Sequence, residues 1–134
     1  MSEPSEAAVA ANSAGVRLAD QRRFAQAIPF YETARALSPR WYAPHLNLCI
    51  ALKQTGEWSG SLAAAVRALE LDPDRAGSGA YWNAGVAATA LGDWERARWA
   101  WTKVGITLPE SDGPIDLNIG TTPIRINCGE KPEV

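Results

Sequence analysis

Three prolines, Pro39, Pro73 and Pro109, stand 34 and 36 residues apart, and each closes a segment of the same design. Five residues before them come Ala34, Ala68 and Val104; eight before, Tyr31, Ala65 and Trp101; twelve before, Ala27, Ser61 and Ala97. A unit of about 34 residues is too short to bury its own apolar face and must stack on its neighbours, so this period specifies paired helices in a row. Gly56 and Gly92 mark the ends of first helices, because glycine takes the left-handed C-cap conformation without steric strain. Pro44 suits the start of a helix, and the three periodic prolines stop the second helices. Helices are expected at about 5–20, 24–37, 43–55, 58–71, 79–91 and 93–104, with a loop "DPDRAGSG" absorbing the two extra residues of the longer interval.

Counted from Ala8, Tyr42 and Ser78, the eighth residue of each unit is Gly15, Cys49 and Gly85, the seventeenth Phe24, Trp58 and Trp94, and the twentieth Ala27, Ser61 and Ala97. With the strings "LGDWERARWAW" and "GEWSGSLAAAVRALELDP", these units resemble the tetratricopeptide repeat over roughly residues 5–109. The resemblance implies an all-α, right-handed helical-hairpin solenoid. Its three repeats would be 8–41, 42–75 and 78–109, in a domain over 1–109 followed by an extended or short β C-terminal tail over 110–134. Repeat one departs from the pattern. Arg22 stands where a turn glycine is expected, and Pro29 falls inside the second helix, where a kink or a break is expected.

In that family the first helices line a concave groove. The matching positions here include Val9, Asn12, Val16, Ala19 and Asp20 in repeat one, and Ala43, Leu46, Ile50, Lys53 and Gln54 in repeat two. Repeat three contributes Gly79, Trp82, Val86, Thr89 and Ala90. The centre is an apolar stripe of Val9, Val16, Leu46, Ile50, Trp82 and Val86, which calls for a cover. Asn47 and Asn83 either bond the backbone of an extended peptide or satisfy neighbouring helix groups. Trp82 either faces the groove or packs on a neighbouring helix or the tail. The candidate binding set is Val16, Leu46, Asn47, Ile50, Lys53, Trp82, Asn83 and Val86. The two-carboxylate clamp by which some relatives grip acidic chaperone C-termini is not expected. Asn12, Val16, Gly79 and Asn83 stand at four of its five positions and only Asn47 fits, so every cation is missing.

The expected function is a protein–protein interaction module that holds a segment of a partner protein, for which a client, a secretion component or a toxin all fit. The alternative is a structural homo-oligomer assembled through docking or exchange of the tail. A net charge of −2 gives no electrostatic reason to expect nucleic acid or a membrane surface. No apolar stretch approaches the roughly 20 residues of a bilayer span, and the N-terminus lacks the features of a secretory signal. Two cysteines form no disulfide framework, so a reducing cytoplasm fits. His45 and Cys49 occupy packing positions, and no catalytic set, metal-ligand spacing or phosphate loop is present, so neither an enzyme nor a cofactor is expected. The last residues break the helical period. Ile115, Leu117 and Ile119, then Ile124, Ile126 and Cys128, alternate as two strands would. The expectation is that this tail docks on the last repeat or in the groove. The "GPID" segment is similar to bacterial tetratricopeptide proteins that continue into a β-rich region, which suggests the N-terminal part of a longer chain.

Overall fold

The computed structural model describes residues 4–108 and the backbone of two strands, 114–119 and 122–127. The six helices are α1 (Glu6–Asp20), α2 (Phe24–Leu37), α3 (Tyr42–Gln54), α4 (Trp58–Leu71), α5 (Pro73–Leu91) and α6 (Trp94–Lys103). They pair as three hairpins, and α2 packs on α3 and α4 on α5, so each hairpin leans on the next. The first helices also touch one another, α1 to α3 and α3 to α5, and form one continuous layer. Strands β1 (Pro114–Ile119) and β2 (Thr122–Asn127) form an antiparallel hairpin with Ile115 opposite Ile126 and Leu117 opposite Ile124. Both runs expected from the alternation are thus present. The side chains through which the tail was expected to dock, Cys128, and the stop at Pro109 all lie outside the described residues.

Close packing within each hairpin depends on matched sizes across it. A Cβ at Gly15 would stand 2.5 Å from the ring of Tyr31, and one at Gly85 would stand 2.7 Å from the ring of Trp101. In the middle repeat the eighth residue is Cys49, fully buried, with Ser61 of the second helix packed against it. The twentieth residues Ala27, Ser61 and Ala97 are likewise fully buried, as close approach of two helices requires. Ser61 satisfies its buried hydroxyl by donating to the Cys49 carbonyl at 2.8 Å. At the N-terminus the Ser5 hydroxyl accepts from the Ala8 amide, and the Ser5 amide donates to the Ser38 hydroxyl, tying the start of α1 to the end of α2. The ion pairs among the described residues all join neighbours three apart, within a helix or from its N-cap, through partly to largely exposed side chains, so they add little. Burial of apolar surface holds the array together.

The turns share one hydrogen-bond pair. Glu57 N donates to Leu52 O while Gly56 N donates to Lys53 O, and the same two bonds recur at Asp93 and Gly92 and at Ile106 and Gly105. The glycine takes φ of +79°, +71° and +83° in turn. After α1 the same bonds are made by Arg23 and Arg22, and Arg22 is held at φ +62°. A side chain in that region is strained by roughly 1 kcal/mol. Arg22→Gly should therefore raise stability by about 0.5–1 kcal/mol, part of the relief being offset by the greater freedom of glycine in the unfolded chain. Urea denaturation checks this, and a loss of stability would show that Arg22 makes a contact that outweighs the strain.

Two expectations are corrected. The insertion expected as a loop forms a short helical turn from Pro73, and the long helix of α5 continues after Gly77, about where it was expected to start. Asp72 caps that turn through the Arg75 amide, Pro73 takes the first helical position, and Gly77, at φ +53° and ψ −151°, interrupts the helix before it continues. The extra turn brings Ala76 and Ala80 against Ala68 and Leu69, with Tyr42, Leu46 and Tyr81 packed on them. The other concerns α2: of the kink or break expected at Pro29, the break is absent, and the helix runs on through it. Pro29 deprives only the Ala25 carbonyl of its partner, and both residues lie on the exposed face, where water replaces the lost bond. The Thr33 hydroxyl donates to the Pro29 carbonyl on that face.

Candidate functional site: the face of the first helices

Some of the groove residues expected from repeats one and two line one concavity. Val16 and Asp20 of α1, Asn47 and Ile50 of α3, and Phe24 and Tyr31 of α2 surround a concavity of about 240 Å3, completed by Ala19 and Ala51. Three of the eight candidates, Val16, Asn47 and Ile50, line it. Lys53 follows Ile50 by three residues on α3, which places it on the same side of that helix. Burial holds the Lys53 ammonium below the ordinary lysine value, opposed by a smaller effect of Cys49. Asn47 donates to Asn12 Oδ1 at 3.0 Å, which joins the first helices of repeats one and two; among the described residues its own carbonyl oxygen and second N–H have no partner.

Repeat three is arranged differently. Trp82 is half-buried and sets its ring edge-on to Trp101, with centroids 5.0 Å apart and planes at 88°. The contact expected with the neighbouring helix is present, and part of the ring stays exposed. Val86 and Asn83 are buried. Asn83 donates to the Gly79 carbonyl one turn earlier at 2.8 Å, while its Oδ1 is buried without a partner among the described residues. Thr89, named with the groove positions, is turned inward, where its hydroxyl accepts from the Trp101 indole at 3.0 Å. Leu46 is half-buried beside the second apolar cluster. Sequence reasoning missed Phe24 and Tyr31 as pocket residues because they belong to the second helix. The signal was Gly15, whose missing side chain admits the Tyr31 ring against α1.

His45 and Cys49 are occupied in packing. The His45 ring bonds the Pro39 carbonyl through Nε2 at 3.0 Å. Burial, aided by Arg35 and Arg67 and opposed by that hydrogen bond, lowers its pKa from the ordinary value. A histidine with a lowered folded pKa binds its proton more readily in the unfolded chain. Stability is therefore complete above the unfolded histidine value of about 6.5 and declines as pH falls through it. The urea midpoint should drop between pH 7.5 and pH 5.5, and His45→Gln should flatten that drop. An unchanged slope in the variant would assign the pH dependence to other groups. Burial also pushes the Cys49 thiol above its ordinary value, against smaller effects of Ser61 and Lys53, so it is a poor nucleophile. Among the described residues, no three His, Cys, Asp or Glu side chains are grouped to hold a metal, and no helix is long and apolar enough to cross a membrane.

The family model of the tetratricopeptide repeat matches residues 18–84, half of the chain. The chain belongs to the tetratricopeptide-repeat family. Solved tetratricopeptide structures share its fold. The second such domain of Spaghetti (RPAP3), bound to the HSP90 peptide SRMEEVD, superposes with a TM-score of 0.69 at 20% identity, over 74% of this chain and 90% of that one. The Sgt2 domain from Aspergillus fumigatus superposes with a TM-score of 0.66 at 23% identity, over 75% of this chain and 65% of that one. No curated protein sequence matches the chain.

Proposed function

We propose that this tetratricopeptide array is a protein-interaction module whose first-helix face binds a segment of a partner protein. The observation that carries the reading is the convergence of Val16, Asn47 and Ile50, from different helices, on one largely apolar concavity. Leu46, Lys53 and Trp82 extend the contact surface along the same face, over a floor that includes Asn83 and Val86. A structure of the same fold holding an HSP90 peptide supports the class of partner. The anchoring chemistry differs from a carboxylate clamp, since Asn12, Val16, Gly79 and Asn83 supply no cation. Apolar contact dominates instead, so affinity should depend weakly on salt.

A partner recovered with the full chain from its native source permits a calorimetric test. Trp82→Ala should weaken binding by about 2 kcal/mol or more, as truncation of a central aromatic does, while Trp99→Ala and Arg98→Ala should change it by less than about 0.5 kcal/mol. Thermal unfolding of each variant separates lost contact from lost fold. The reverse pattern, with loss at Trp99 or Arg98 and none at Trp82, would place the partner elsewhere.

A further inference from the structure

Of the surfaces on the molecule, the concavity between repeats one and two is the one whose lining specifies an occupant. At about 240 Å3 it exceeds the roughly 150 Å3 that accommodates a benzene ring, so a long side chain fits. Val16, Phe24 and Ile50 give it apolar walls, and three polar side chains interrupt them: Asp20, Tyr31 and Asn47. None of the three is saturated. Tyr31 is only 2% exposed, yet among the described residues its hydroxyl has no hydrogen-bond partner. Its ring lines the concavity, and the hydroxyl is not sealed from solvent. Asn47 keeps its carbonyl oxygen and one N–H without a partner, and Asp20 makes no ion pair, both among the described residues. The lining holds no cation. Burial, with a smaller push from the Asp20 carboxylate, raises the pKa of Tyr31, so the charge and the hydroxyl stand near each other. A phenol and an amide can each donate or accept, but an ionised carboxylate only accepts, so Asp20 decides the sign. A wholly apolar guest would strip water from the Tyr31 hydroxyl and give nothing back. An acidic guest would meet Asp20 as a like charge.

We infer that this concavity takes an arginine side chain of the partner segment, its stem against Val16 and Ile50 and its guanidinium donating to Asp20, Tyr31 and Asn47. The inference rests on the proposed peptide-binding reading and adds to it the chemistry of the anchor. Arginine suits the lining better than lysine. Its planar head carries five N–H donors for three acceptors, is more weakly hydrated than an ammonium, and stacks on aromatic rings such as those of Phe24 and Tyr31. Asp20 is exposed, so the pair with it adds selectivity more than affinity, and one such pair keeps the salt dependence of the whole segment weak.

The test uses the full chain, labelled with nitrogen-15, and four blocked peptides. These are acetyl-Leu-Ser-Arg-Ser-Leu-amide and the same peptide with citrulline, norleucine or Glu in place of Arg. Citrulline keeps the stem and a planar donor head without the charge, and norleucine keeps the stem alone. The Arg peptide should shift the amides of Ala19, Asp20, Asn47 and Ile50 and bind about fivefold more tightly than the citrulline peptide, the upper range for an exposed ion pair. The norleucine and Glu peptides should bind about tenfold more weakly than the Arg peptide, since they forfeit hydrogen bonds as well as the pair. Asp20→Asn should abolish the preference for Arg over citrulline. Tyr31→Phe breaks no hydrogen bond among the described residues and keeps the ring against Gly15, so the variant should fold; it should weaken the Arg peptide about threefold and leave the norleucine peptide unchanged. Thermal unfolding of each variant confirms the fold. Equal or tighter binding of the norleucine or Glu peptide overturns the inference, as does a preference for Arg over citrulline that survives Asp20→Asn, or no shift at these amides with several millimolar Arg peptide. Shifts confined to Trp82 and Val86 would overturn it too but leave the wider reading of the first-helix face standing.

Discussion

Truncation of Trp101 to alanine is expected to destabilise the array by roughly 3–5 kcal/mol, the largest loss available from one side chain here. Trp101 is fully buried, holds Trp82 edge-on, and donates its indole N–H to the buried Thr89 hydroxyl. Its removal leaves a cavity against Gly85, which has no side chain to fill it, and leaves Thr89 short of a donor. Trp58 and Trp94, for which the repeat pattern suggests an equal loss, are only half-buried, so their alanine variants should lose less. Urea denaturation followed by circular dichroism gives the order. A Trp101→Ala loss below about 1 kcal/mol would mean that the third hairpin does not contribute to the cooperative unit.

Gly85→Ala should destabilise by about 1–3 kcal/mol, although alanine is normally the better helix residue by about 1 kcal/mol. The new methyl would stand 2.7 Å from Trp101 ring atoms, and that ring is held by Thr89 on one edge and Trp82 on its flank. The clash therefore displaces a fixed side chain. In the Trp101→Ala background the obstacle is gone, and the same Gly85→Ala change should become stabilising by about 0.5–1 kcal/mol through helix propensity. A double-mutant cycle reads this reversal of sign directly. Additive losses would show that Gly85 is needed for some reason other than the ring above it.

The period of the prolines makes the hairpins legible in the sequence, because the small residues Gly15, Cys49 and Gly85 recur where helices must approach closely. Asp72 and Pro73 show where that reading reached its limit. The pair can end one helix or begin another, and the chain does both. Pro29 does not break α2, because its cost depends on whether the orphaned carbonyl reaches water. At the candidate site, Val16, Asn47 and Ile50, chosen by register, line one concavity. It assigned Thr89 and Val86 to the groove but could not show that the repeat buries them. Which positions face inward follows from helical spacing; how far a neighbour covers them depends on the bulk of Trp101 and on its hydrogen bond to Thr89.

Site-specific photo-cross-linking in the native cell tests the first-helix face most directly. A benzoylphenylalanine is placed at Ile50, beside the pocket, or at Trp99, which is exposed on the last second helix. The account predicts a discrete adduct with a partner protein from the probe at Ile50, diminished by Trp82→Ala, and none from the probe at Trp99. An adduct from Trp99 alone would contradict it.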